Sequence, residues 1–225
     1  MTPTLAQTAV LALLGGLVAL DGTSVGQFMV SRPFVAAALG GLAVGRPGLG
    51  ITVGVVLEAL HLAVLPVGAA KYPEGGPPAV AAGAVFAAWQ SPPVAASGTL
   101  LVVVLVALAL EWVGGMTVER MRQFNVRFAG APPEGLSPGD VARRHGLPIG
   151  VDFARGAALA LAGVLILSLL LRVIDFSGFP ELAVGTVVRL AMVAGLASAL
   201  RLFGRSHYPL FIAGAAAGAV VAWLR

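Results

Sequence analysis

Glu58 and His61 stand one helical turn apart inside an otherwise apolar run, ITVGVVLEALHLAVL. On a helix that spacing puts them on one face, and the pair suits two kinds of chemistry. A carboxylate accepts several charge-assisted hydrogen bonds, which is a good way to hold hydroxyl groups. A carboxylate beside an imidazole can also trade a proton as an acid–base pair. An enzyme site of the second kind needs a nucleophile or a metal set. The chain has no cysteine and no Walker loop, and its three histidines, His61, His145 and His207, lie far apart. His145, within Arg-Arg-His-Gly, reads as a solvated loop histidine.

Arg32, Arg46 and Lys71 share this stretch, and Asp21 and Gln27 flank a break, DGTSVGQ, just before it. Only 11% of the 225 residues are charged. Ions placed in such apolar sequence face a protein interior, a water-filled cavity or a solute path. Glu58 is therefore the leading solute-binding candidate, followed by Gln27, Asp21, Arg32, His61 and Lys71. Each has a plainer reading. Glu58 could pair with Arg32, Arg46 or Arg189; Asp21 and Gln27 could cap helix ends; His61 could bond backbone; Lys71 could snorkel. Arg189 itself reads as structural.

The elements that must position these residues are helices in a membrane. The chain is 58% hydrophobic, more than a soluble domain hides, so the expected class is an all-α, polytopic membrane protein. Its basic residues are scattered and its aromatics few, which gives nucleic-acid binding no support. Leu5–Leu20, Val94–Leu110, Phe153–Leu171, Leu182–Phe203 and Tyr208–Leu224 read as spans, five to six in all. The first lacks the basic start of a cleaved leader and reads as a retained helix. Glu111 and Trp112 read as the edge of the second span, where Trp favours the interface. Between them, Pro33–Gly45 and Ile51–Val64 fall short of the roughly 20 residues a span needs. They read as broken or re-entrant helices, which are tolerated at membrane depth only inside protein or along a cavity and point to a transport site. Lys71–Pro78 reads as loop.

Thr117–Asp152 is the one long polar section. Its first part suits an amphipathic helix with Val118, Met121, Phe124 and Phe128 on one face. Ala131–Gly150, rich in Pro and Gly, reads mostly as loop, with a short helix starting near Ser137. The section's arginines put it in the cytoplasm by the positive-inside rule.

The ordered series Ser31-Arg32-Pro33, Gly41 to Gly45, Gly50 to Glu58 and Leu65 to Glu74 resembles the IIC subunit of the mannose–fructose–sorbose family of the bacterial sugar phosphotransferase system. Asp21 and Gln27 sit where that family tends to have polar residues. The resemblance implies one membrane transport domain over residues 1–225, in the bacterial inner membrane, that binds sugar near mid-membrane and moves it by an elevator-like shift. It implies an oligomer, a IID-like membrane partner, and soluble IIA and IIB proteins that carry the phosphoryl group, so the chain itself needs no cofactor and catalyses no transfer. Arg46, His61, Pro66 and Lys71 depart from the family pattern. The Arg46 and Pro66 positions motivate an alternative, a non-transporting scaffold or regulatory subunit with the same fold. A stand-alone membrane enzyme using Glu58 and His61 ranks third.

Overall fold

The computed structural model describes residues 2–64, 72–90, 96–129, 137–177 and 182–224. Among them the chain is helical and carries no strand: α1 (Leu5–Thr23), α2 (Pro33–Ala43), α3 (Pro47–Leu60), α4 (Gly76–Trp89), α5 (Ala96–Ala129), α6 (Pro138–Val173), α7 (Val184–Phe203) and, after a 3-10 turn at Arg205–His207, α8 (Tyr208–Trp223). Helices α1, α5, α6 and α7, and α8 together with the 3-10 turn before it, are long and apolar enough to cross a membrane, while α2, α3 and α4 are shorter apolar helices. The protein is thus an all-α polytopic membrane protein, as the sequence predicts.

Proline and glycine set the short helices. Pro33 and Pro47 each lie in the first helical turn, where the missing N–H goes unused. Helix α2 stops at Gly45, whose φ of 79° suits a residue without a side chain. There Gly45 N–H donates to Leu42 O at 2.9 Å and Arg46 N–H to Gly41 O at 2.8 Å, the double bond pattern of a Schellman stop. Helix α3 begins at once, so α2 and α3 form a hairpin. Arg46 ties this turn to the end of α4 through a 3.0 Å bond to Gln90 O. With 11 and 14 residues, the two helices rise only about 16 and 21 Å, less than the roughly 30 Å hydrocarbon core.

Helix α4 is the centre of the molecule. Every residue from Gly76 to Ala87 is buried, and the helix touches α1, α2, α3, α5 and α6. A helix that is apolar all round is one that packs all round. Small residues bring α4 close to α2: a Cβ on Gly83 would strike the Ala37 carbonyl, and one on Gly40 would strike the Val80 carbonyl. Such backbone proximity is how helices gain contact in lipid, where apolar burial alone drives nothing. Helix α4 also corrects one expectation. Gly76-Pro77-Pro78, read from sequence as loop, forms its first turn, where prolines cost no helical hydrogen bond.

Helices α5 and α6 have 34 and 36 residues, about 51 and 54 Å, so both extend well past a bilayer core. The stretch from Pro138 to Gly150 is therefore helix, not the loop that its Pro and Gly content suggests. Ser137 starts it with a capping box: Asp140 N–H donates to Ser137 Oγ at 3.2 Å, and Ser137 N–H donates to Asp140 Oδ2 at 3.3 Å. The helix then runs through Pro148 to Val173. A capped start and a long apolar continuation outweigh one interior proline. His145 consequently stands exposed on a helix instead of in a loop.

Candidate functional site

A cavity of about 130 Å³ opens where the ends of four elements converge: the last turns of α1, the connection into α2, the end of α3 and the segment leading into α4. Ser31, Arg32, Pro33, His61, Glu74 and Gly75 are among the residues on its walls.

Asp21 builds one edge. It is buried, and its Oδ1 and Oδ2 accept the N–H groups of Phe28 at 2.6 Å and Ser31 at 2.8 Å. Those bonds fold the connection back onto α1. Within it Gln27 and Met29 adopt φ values of 55° and 65°, left-handed conformations that cost a residue with a side chain on the order of 1 kcal/mol. The Asp21 bonds offset that cost. Gln27 is exposed on the outside of the turn and is not among the cavity-lining residues.

Arg32 and Glu58 meet across α2 and α3. Arg32 Nε donates to Glu58 Oε1 at 2.7 Å, and Arg32 Nη2 donates to the same oxygen. Glu58 Oε2 accepts the Phe34 N–H at 3.2 Å, one of the donors left open at the start of α2. Glu58 therefore holds a cation and caps a helix at once. Arg32 stays half exposed at 50%, against 20% for Glu58. Arg32 lines the cavity, and Glu58 is not among its lining residues.

His61 ends α3. Its Nδ1 lies 2.7 Å from Leu57 O, and its Nε2 lies 3.0 Å from Glu111 Oε2 on α5. Glu111 is 1% exposed. Read from sequence as the rim of a span, it is instead buried in mid-helix beside the cavity, because α5 continues to Ala129.

A second cluster closes the cavity on the side of α6. Arg155 grips Glu74 with both terminal nitrogens, Nη2 to Oε1 at 2.6 Å and Nη1 to Oε2. It also donates to Asp152 Oδ1 from Nη2 at 2.7 Å and from Nε at 3.1 Å, and to Thr117 Oγ1 at 3.1 Å. Thr23 and Ser24 hydroxyls donate to the other Asp152 oxygen. Helices α1, α5 and α6 and the segment before α4 are thus tied at one point.

The structure brings Arg32, His61 and Glu58 to one place, uses Asp21 to shape the adjoining loop and leaves Gln27 outside. Lys71 and Pro66 lie outside the described residues. Sequence reading missed Glu111, Glu74 and the Asp152 network. Asp152 and Arg155 do carry a readable signal, since an acid three residues before an arginine on a helix can pair with it. Nothing in the sequence ties either to Glu74.

Comparison with known proteins sets this geometry in context. A family model for the sorbose-specific IIC component of the phosphotransferase system matches residues 5–128. Two solved structures share the fold. One, described only as a membrane protein, superposes with a TM-score of 0.67 at 19% identity, over 99% of this chain and 95% of that one. The other, a complex of the mannose transporter ManYZ with microcin E492, superposes with a TM-score of 0.63 at 19% identity, over 97% of this chain and 88% of that one. No curated protein matches the sequence significantly.

Proposed function

We propose a role for the cavity from a settled premise: the chain belongs to the family of sorbose-specific IIC components of the phosphotransferase system, and so is a sugar-translocating membrane subunit. The sugar binds in the cavity of about 130 Å³, against Ser31, Arg32 and His61. Arg32 donates to ring or hydroxyl oxygens from the guanidinium N–H edge that Glu58 leaves free. Glu58 acts chiefly by positioning: it fixes the angle of Arg32 and the start of α2. Asp21 keeps Ser31 in place through the loop.

The observation that carries this reading is a cavity among helix ends whose mainly apolar wall carries Ser31, Arg32, His61 and Glu74, in an otherwise apolar protein. Helix ends supply open backbone groups, and at membrane depth those are kept only where protein or a solute uses them. Transport then follows from alternating exposure of the cavity, with the packed unit around α4 shifting against the longer helices as an elevator.

The chain takes a IID-like membrane partner, assembles as an oligomer in the bacterial inner membrane, and leaves phosphoryl transfer to soluble IIA and IIB proteins. An intramembrane partner is supported by α8, none of whose residues is buried, and by α7, where only Gly195 is. Residues 117–152 face the cytoplasm on this reading, with Arg120, Arg122 and Arg127 on the projecting end of α5.

The test is sugar uptake into cells or proteoliposomes carrying the chain with its IID partner. Glu58→Gln is expected to abolish uptake while membrane insertion stays intact. Normal uptake by that variant would remove Glu58 from the site.

A further inference from the structure

We propose that Glu111 is a sugar-hydroxyl acceptor of the translocation site, held in place by His61 and separated from the cavity only by Gly75 and Pro33, whose parting in the transport shift brings it to the sugar. The inference rests on the reading of the cavity as the sugar site.

The bond chemistry starts at Leu57. Its carbonyl only accepts, so the His61 nitrogen 2.7 Å away, Nδ1, carries a hydrogen. Between His61 Nε2 and Glu111 Oε2, 3.0 Å apart, a single proton then suffices. With the proton on nitrogen the pair is imidazolium and carboxylate; with the proton on oxygen it is imidazole and carboxylic acid. Both forms have no net charge. In both, the other oxygen, Glu111 Oε1, carries no hydrogen and can only accept.

That oxygen is buried and meets no donor among the described residues. An orphaned acceptor at such depth costs about 1–3 kcal/mol, so it calls for a partner. Its position shows where the partner comes from. The point a Cβ would occupy on Gly75 lies 3.4 Å from Glu111 Oε1, 3.6 Å from His61 Nε2 and 2.9 Å from Pro33 Cγ. Gly75, His61 and Pro33 all line the cavity. The orphaned oxygen therefore lies directly behind the cavity wall at Gly75, where a hydroxyl meets it once Gly75 and Pro33 part, and a methyl group on residue 75 would crowd both it and Pro33. Gly75 itself has φ −80°, a conformation any residue adopts. Its glycine is thus explained by space, not by backbone strain. A donor arriving there meets a neutral pair, so the match is an O–H and not a cation.

The experiment measures binding of D-mannose, L-sorbose and their monodeoxy derivatives to the protein with its IID partner in lipid nanodiscs. Glu111→Leu, which removes the acceptor that a glutamine carbonyl would keep, is expected to weaken binding of the preferred sugar about tenfold or more, the value of one hydrogen bond. Gly75→Ala, which keeps Glu111, is expected to do the same. One monodeoxy derivative should bind the native protein more weakly and be indifferent to Glu111→Leu, because it lacks the hydroxyl concerned. A Glu111→Leu affinity within about twofold of native would overturn the proposal, as would an equal loss for every sugar and every deoxy derivative, which marks a purely structural acid. Native protein that binds neither sugar would instead overturn the reading of the cavity, and this inference with it.

Discussion

Arg155 reaches Glu74, Asp152 and the Thr117 hydroxyl with its side chain only 10% exposed, whereas Arg32, on the cavity wall, reaches Glu58 and stays half exposed. The difference extends to the acids. Asp152 has partners on both oxygens: Arg155 on one, the Thr23 and Ser24 hydroxyls on the other. Glu111, by contrast, is buried yet has one oxygen bonded and one orphaned. A cluster whose every donor and acceptor is matched within the protein gains nothing from a ligand, and acts as a lock between helices. A cluster left one bond short is where a ligand adds something. The two clusters border one cavity, and their completeness separates scaffold from site.

Breaking the lock is the sharpest test of that division. Arg155→Met would leave Glu74 and Asp152 as buried acids without their cation, at a cost of about 3–5 kcal/mol. The expected result is a large drop in melting temperature in detergent, or loss of folded protein on size exclusion. Adding Glu74→Gln and Asp152→Asn to that variant should recover part of the loss, since the stranded charges go with them. If Arg155→Met melts like the native protein, the cluster is no lock.

A smaller effect is expected from the hydroxyl side. Ser24→Ala removes one donor to Asp152 at a residue that does not line the cavity, which should lower stability by about 1–3 kcal/mol without changing sugar affinity. Reduced affinity at unchanged melting temperature would blur the line between the two clusters.

The smallest stability change is expected at Arg32. A pair this exposed contributes under about 1 kcal/mol, so Arg32→Gln should leave melting nearly unchanged while sugar uptake falls steeply. Destabilisation on the scale of Arg155→Met would show that both clusters hold the fold alike.

Several features of this site are legible along the chain. Pro33, Gly45 and Pro47 announce the broken α2–α3 hairpin, since each residue type dictates its local backbone wherever it stands. Arg32 and Glu58 stand out because ions in apolar sequence are rare, and their pairing is one of the plain alternatives the sequence offers. Glu111 was not legible as a site residue. At the end of a Leu- and Val-rich run and next to Trp112, it has the pattern of a span's edge, and only the continuing helix places it deep. The start of α6 was hidden for the opposite reason: proline and glycine signalled a loop, while the capping box at Ser137 and the apolar residues beyond Asp152 made helix the better solution.

The sequence by itself determined the solvent this protein lives in and where its helices break, because hydropathy and the backbone limits of proline and glycine act residue by residue. Tertiary structure alone decided which polar groups meet. Arg155 and Glu74 are 81 residues apart, and His61 finds Glu111 only because α3 and α5 pack together. Such pairings follow from how small residues let helices approach, a property of the assembled bundle that no local stretch of chain contains.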